Sequence, residues 1–195
     1  MEENNRETSY SRMGLWDKSY SNSPQKKMYD DPTTGKIAGG FLNKGDILTV
    51  EDWGCGYGGF EKYTGKHQTY VGIDGSHSPF ASKIADLETY TSDTDAIHMR
   101  HILEHNPNWS IILNNSLKSF NKRMVLTLFT PYQNITHILA RYPNFNKTGV
   151  EMIDIGFLRD DIVNKFTEID WFSVENIKTE TQYGIEHMFF LEKFA

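Results

Sequence analysis

The stretch VEDWGCGYGGF, Val50 to Phe60, is an apolar run that ends in a carboxylate, Asp52, and then breaks into Gly54, Gly56, Gly58 and Gly59. Glycines carry no Cβ and tolerate positive φ, so such a turn lets the backbone approach a ligand closely. Its place after a strand matches the crevice outside the carboxyl ends of an open α/β sheet, where ligands bind. Gly54, Gly56 and Gly59 satisfy G-x-G-x-x-G, a pattern common to several adenosyl-binding turns. Asp74 closes the next apolar run, QTYVGIDGS, where a carboxylate can accept hydrogen bonds from ribose hydroxyls. A third carboxylate, Asp86 in KIADLETY, can face an exocyclic amino group of adenine. Asp52 separates the ligands. A carboxylate repels a pyrophosphate and attracts an ammonium group, so its place before the first glycine argues against a NAD-dependent oxidoreductase.

Taken together, VEDWGCGYG, VGIDGS, ADL and DAIHMRHILEH, in that order, resemble the motifs of the class I S-adenosylmethionine-dependent methyltransferases. The resemblance runs from about Ile47 to Pro131. It implies that Gly54, Cys55, Gly56 and Gly58 wrap the methionine part of S-adenosylmethionine beside Asp52. It implies that Asp74, with Gly75 and Ser76, holds the ribose, and that Asp86 and Leu87 meet the adenine. Arg100 is a candidate partner for the cofactor carboxylate or an anionic substrate. One departure is that Asp74 and Asp86 are only twelve positions apart, shorter than the helix plus strand usual in the family. Asp93 and Asp95 are the alternative carboxylates for the adenine.

Methyl transfer is an in-line displacement, so the protein must mainly position the acceptor and exclude water. A hydroxyl acceptor needs a base, and an amine must be neutral when it attacks. The segment MRHILEHNPNW supplies His101 and His105 at i and i+4 with Glu104 beside them. His101 is the preferred base candidate, with His105 and Tyr132 also candidate catalytic groups. One short segment rarely supplies a complete metal site, so no metal is assigned. Asn106-Pro107 reads as a helix start with proline at its first position, rather than as the Asn-Pro-Pro-Tyr type motif of amino-methyltransferases. Trp16, Tyr20 and Tyr29 could close over the pocket as a lid.

The elements that must position these groups follow from the apolar pattern. DILTVEDWG, QTYVGIDGS, TDAIHMRHIL and MVLTLFTPY read as buried strands. NPNWSIILNNSLKSFNKR reads as an amphipathic helix with a basic end, from Trp109, Ile112, Leu113, Leu117 and Phe120. DDIVNKFTEI reads as a short helix, and WFSVENIKTE and IEHMFFLEKFA as strands of a closing hairpin. Strand alternating with helix predicts an α/β, Rossmann-like, mostly parallel sheet with helices on both faces and a C-terminal antiparallel hairpin strand. Residues 1–45 read as an N-terminal extension, frayed over 1–12, and residues 46–195 as the cofactor-binding domain.

The totals bound the rest. The chain has 195 residues, 38% hydrophobic and 24% charged, with aromatic residues at 13%, which suits one soluble domain with a sizeable core. A net charge of −6 disfavours a broad grip on nucleic acid phosphates. The single cysteine, Cys55, excludes an internal disulfide. The polar start MEENNRETSYSR is not a signal peptide, and no apolar run approaches the ~20 residues of a membrane span. A cytoplasmic enzyme acting on a small-molecule acceptor, such as a sugar or other metabolite, is the expectation. The alternatives are a nucleic acid or protein methyltransferase and a non-catalytic S-adenosylmethionine-binding protein.

Overall fold

The computed structural model describes residues 13–21, 32–147 and 149–194. The expected fraying of residues 1–12 and the lid role of Tyr29 fall outside them. The chain opens with α1 (Asp17–Ser21) and α2 (Thr33–Leu42). It continues through β1 (Thr49–Trp53), β2 (Thr69–Asp74), β3 (Lys83–Ile84), β4 (Thr94–Arg100), α3 (Trp109–Ser119) and β5 (Phe120–Leu128). Then follow β6 (His137–Tyr142), β7 (Met152–Gly156), α4 (Arg159–Val163), β8 (Trp171–Lys178) and β9 (Ile185–Glu192).

Seven strands form one sheet in the order β3-β2-β1-β4-β5-β9-β8. β1 pairs in parallel with β2 and β4, β2 with β3, and β4 with β5. β9 runs antiparallel to both β5 and β8, the expected closing hairpin. From β1 the chain steps outward to β2 and β3, then returns to β4 and β5 on the other side. That reversal opens a crevice at the carboxyl ends of β1 and β4.

A parallel sheet is covered on both faces, which is why its strands are continuously apolar. On one face, Val50, Ala96, Val125, Met188 and Phe190 pack under Ala38 and Leu42 of α2. On the other, Trp53, Ile97, Met99, Leu126 and Phe189 pack against Ile112, Leu113 and Leu117 of α3 and Ile162 of α4. α2 reads TTGKIAGGFL, a composition of poor helix formers. Its Gly39 lies so close to Tyr63 that an added Cβ would come within 2.7 Å of the Tyr63 Cβ. Close packing, not propensity, accounts for these glycines, while the buried Thr34, Ala38 and Leu42 recur at a helical spacing of four.

Four details differ from the sequence reading. The helix after Pro107 ends at Ser119, and Phe120 already pairs with Thr94 in β5. The expected basic helix end is therefore strand, where Arg123 pairs with Glu192 and Lys122 with Asp95. Pro107 precedes the N-cap Asn108 instead of holding the first helical position. Between Asp74 and Lys83 the chain makes turns without a helix, and a two-residue β3 suffices to extend the sheet. A separate antiparallel pair, β6 with β7, was not anticipated. β6 has no alternating pattern and is defined only by its partner. No helix among the described residues is long and apolar enough to cross a membrane.

Phe189 is fully buried and makes an edge contact with Phe166 at 5.8 Å. Phe189→Ala should cost about 3–5 kcal/mol of stability, measured by urea unfolding, without changing the far-ultraviolet circular dichroism of the folded protein.

Candidate functional site

A cavity opens where the chain reverses. Asp52, Gly54, Cys55 and Gly56 from the first turn line it, with Asp74, Gly75 and Ser76 after β2 and Asp86 and Leu87 after β3. Arg100, His101 and His105 from the β4 exit complete the wall, with Trp16 and Tyr20 from the N-terminal segment. The fold thus brings together residues spread over nearly ninety positions because parallel strands end on one edge.

Within the turn, Gly56 has φ of 53°, and an added Cβ would meet the Tyr20 hydroxyl at 3.6 Å and the Gly54 carbonyl oxygen at 3.9 Å, both at ordinary contact distance. This is a backbone cradle that faces cavity space. Gly58, also left-handed at 66°, instead abuts Phe80, whose Cβ would lie 2.7 Å from an added Cβ. Gly58 shapes the turn but does not line the cavity. Burial, with the charges of Asp52 and Asp74, pushes the Cys55 thiol up, so it stays an uncharged filler.

Asp74 accepts from the backbone amides of Ser76 and Gly56 at 2.8 and 2.9 Å, and from the Tyr20 hydroxyl at 3.4 Å. Burial raises its carboxyl to about 6 against those amides, which act to lower it. The segment Met13–Ser21 is strapped across this edge. Gly14 N donates to Gly75 O, Trp16 N to Ser76 Oγ and Tyr57 Oη to Ser19 O. Asp86 follows β3 directly and accepts from Glu88 N at 3.0 Å. Asp93 and Asp95 are at the opposite end of β4, where Asp95 accepts from Leu48 N and Asp93 from Asn121. The short connection after Asp74 therefore still delivers Asp86 to the cavity edge.

Asp52 lines the cavity, but both its oxygens are engaged inside the protein. Tyr70 Oη donates to Oδ2 at 2.8 Å, and His98 Nδ1 lies 2.7 Å from Oδ1. This is the first of three histidine–carboxylate pairs at the β4 exit. In the second, His101 Nε2 is 3.0 Å from Glu186 Oε1, which also accepts from Arg100 Nη2 at 2.6 Å. In the third, His105 Nδ1 is 3.3 Å from Asp154 Oδ1 and 2.9 Å from Ile153 O. The three carboxylates come from β1, β9 and β7.

These pairs set the chemistry of the two candidate bases. Burial pushes His101 down to about 4, with the Arg100 charge adding to it, despite the Glu186 hydrogen bond. Burial alone would raise Glu186, but the His101 bond and the Arg100 charge hold it at about 2. Burial also acts to lower His105, and the Asp154 bond with the Glu104 charge reverses this and raises it. Glu104 is pushed up to about 7 by burial and accepts from Phe129 N. His101 and His105 are not on one helix, since His101 has φ of 58° and only Leu103–His105 forms a 3-10 turn. Both rings nevertheless pack on Phe129, at 4.7 and 5.5 Å.

Arg100 is thus committed to Glu186, a buried counter-charge 86 positions away, which sequence reading did not single out. Tyr132 does not line the cavity. Its ring stacks on His187 at 3.8 Å, and burial raises its hydroxyl to about 12. The signal for the missed carboxylates was present: Asp154 in MIDIG and Glu186 opening IEHMFFLE sit in buried strands, where a carboxylate must be paired. Among the described residues, no group of three or more histidines, cysteines and carboxylates is arranged to hold a metal ion.

No family model matches the chain, and no curated protein matches it. Solved structures do. A 1,6-didemethyltoxoflavin-N1-methyltransferase from Burkholderia thailandensis, with 1,6-didemethyltoxoflavin and S-adenosylhomocysteine bound, aligns with TM-score 0.67 at 12% identity, over 91% of this chain and 84% of that one. A magnesium protoporphyrin IX methyltransferase from Synechocystis PCC 6803, with S-adenosylmethionine bound, aligns with TM-score 0.60 at 15% identity, over 98% and 100%. An N-methyltransferase, NodS, from Bradyrhizobium japonicum WM9 aligns with TM-score 0.57 at 12% identity, over 86% and 90%. The fold is that of the class I S-adenosylmethionine-dependent methyltransferases.

Removing the carboxylate charge of Glu186 should strip the buried Arg100 guanidinium of the counter-charge it meets at 2.6 Å. Glu186→Gln is expected to lower unfolding free energy by about 3–5 kcal/mol, read from urea denaturation. A loss under 1 kcal/mol would show that the pair does not hold the β4 exit to β9.

Proposed function

We propose that this protein is an S-adenosylmethionine-dependent methyltransferase that transfers a methyl group to an oxygen or nitrogen of a small-molecule acceptor. The observation that carries this reading is the arrangement of Asp74 and Asp86 at the ends of β2 and β3, around the Gly54–Gly56 cradle, in one cavity. Solved structures of the same fold hold S-adenosylmethionine or S-adenosylhomocysteine.

The chain's own residues divide the work. Asp74 accepts hydrogen bonds from the ribose hydroxyls, flanked by Gly75 and Ser76. Asp86 meets the adenine amino group, and Leu87 supplies an apolar wall. Gly54, Cys55 and Gly56 bring the backbone against the methionine part, with Asp52 in the cavity wall beside them and Arg100, paired to Glu186, at the β4 exit. When bound, the cofactor supplies an electrophilic methyl group on a sulfonium. The histidines at the β4 exit then face the acceptor. Residues 1–45 act as an extension whose segment 13–21 covers the cavity as a lid, excluding water from the displacement. Residues 46–195 form the cofactor-binding domain. A strapped, aromatic-walled cavity suits a metabolite better than a polymer, as does the net charge of −6. The Burkholderia relative, with its small heterocycle bound, acts on a molecule of that size.

Calorimetry with S-adenosylhomocysteine tests the cofactor assignment, and an absence of binding would sink it. Asp74→Asn should weaken binding by about 10- to 100-fold, the value of a hydrogen bond to a charged group. The pH dependence has a definite sign. The Asp74 carboxyl is raised to about 6, so it is ionised and fully accepting above that value. Affinity should be flat from pH 7 to 8, fall as pH drops through 6, and lose this dependence in Asp74→Asn.

A further inference from the structure

Two of the histidine–carboxylate pairs face the acceptor end, and they are not equivalent. The ring nitrogen that meets a carboxylate or carbonyl must carry the proton, and this assigns the proton-accepting atom to the other nitrogen. In His105, Nδ1 meets the Ile153 carbonyl oxygen at 2.9 Å and Asp154 Oδ1 at 3.3 Å, and both are acceptors only. The neutral ring is therefore protonated on Nδ1, with Nε2 basic. Asp154 is itself anchored, since its Oδ2 accepts from Tyr142 Oη and Tyr183 Oη, each at 3.0 Å. The His105 side chain is 13% exposed and forms part of the cavity wall. His101 is buried beside the Arg100 guanidinium, with Nε2 on Glu186, a setting that resists a further positive charge.

We propose that His105 is the general base, held by Asp154 as its positioning residue, and that the methyl acceptor is a ring hydroxyl. This rests on the methyl-transfer reading above and adds the acceptor class and the base to it. A hydroxyl must lose its proton as it attacks, whereas an amine needs only to be neutral beforehand. His105 Nε2 takes the hydroxyl proton as the oxygen pair forms the O–CH3 bond. The C–S bonding pair returns to the donor sulfur, which becomes a neutral thioether. The imidazolium is stabilised by Asp154 and then releases its proton to solvent. The ring of Trp16, which lines the cavity together with His105, lies 5.8 Å from the imidazole, so the hydroxyl is carried on a ring with an apolar face, as in a phenol or a sugar. Around His105 the titratable groups are Glu104 on its own turn, Asp154 on β7, His101 at the β4 exit, and Tyr142 and Tyr183, which reach it through Asp154.

The test has two parts on the full chain. In the first, nitrogen-15 histidine NMR should find neutral His105 protonated on Nδ1 and titrating above the ordinary histidine value. Asp154→Asn should move that titration down. A proton on Nε2, or a titration indifferent to Asp154→Asn, overturns the proposal. In the second, S-adenosylhomocysteine release from S-adenosylmethionine is measured with catechol, methyl glucoside and aniline as probes. A hydroxyl probe should turn over, and His105→Gln should slow it about 100- to 10,000-fold with S-adenosylhomocysteine affinity retained. Asp154→Asn should shift the acidic limb of kcat to lower pH, an effect that simple loss of packing would not produce. Equal turnover in His105→Gln, turnover of aniline alone, or no hydroxyl turnover by protein that binds S-adenosylhomocysteine overturns it. Matched unfolding midpoints for the two variants separate loss of the base from loss of fold. Wild-type protein that binds no S-adenosylhomocysteine would instead sink the methyl-transfer reading itself.

Discussion

Glu186 holds the cavity edge of the sheet together. Its side chain is fully buried, and one oxygen accepts from both Arg100 and His101. Burying a guanidinium costs several kcal/mol unless a counter-charge meets it with good geometry. β9 must therefore deliver a carboxylate to the point where β4 ends. That requirement ties the antiparallel strand to the parallel half of the sheet, and it holds His101 in a left-handed backbone conformation, with φ of 58°. The same logic repeats on either side, with Asp52 from β1 meeting His98 and Asp154 from β7 meeting His105. A single strand exit is thus pinned by carboxylates from three neighbouring strands.

The opposite rim is held differently. There the glycine turn, the Asp74 carboxylate and the strap Met13–Ser21 meet through backbone amides, hydroxyls and a few aromatic contacts. Tyr20 reaches Asp74 and makes an edge contact with Tyr57 at 5.1 Å. The neutral bonds of the strap are individually modest, about 1 kcal/mol each, in contrast to the buried ion pair at the β4 exit. The proposed in-line displacement would draw on both: fixed geometry at the reacting atoms and a closable path to solvent.

Much of this was legible beforehand for a simple reason. Parallel strands are covered on both faces, so they appear as continuous apolar runs, and the turns at their carboxyl ends appear as glycines and carboxylates. β1, β2, β4, β5 and the closing hairpin were readable on that basis, as was the grouping of Asp52, Asp74 and Asp86. What was not legible depended on partners. β3 is two residues long and exists only as a neighbour of β2. β6 has no pattern of its own apart from β7. The helix boundary at Ser119 was misplaced because Phe120 suits a helix face and a strand equally, and its pairing with Thr94 decides.

By itself, the sequence determined the sheet class, the glycine turn after β1 and the carboxylates Asp52, Asp74 and Asp86 at or just past strand ends, because local spacing and hydrophobic period mark strands and the turns that end them. Only the tertiary structure decided how the charged side chains of HMRHILEH are used. Arg100 goes to Glu186 rather than outward, and His101 is sealed into that pair. His105 receives Asp154, and Tyr132 is packed away on His187. The sequence separations are 86, 85 and 48 positions for the hydrogen bonds of Arg100 and His101 to Glu186 and of His105 to Ile153. Whether a buried ionisable group is a base, a ligand or a structural counter-charge depends on what folds against it, and no local pattern carries that information.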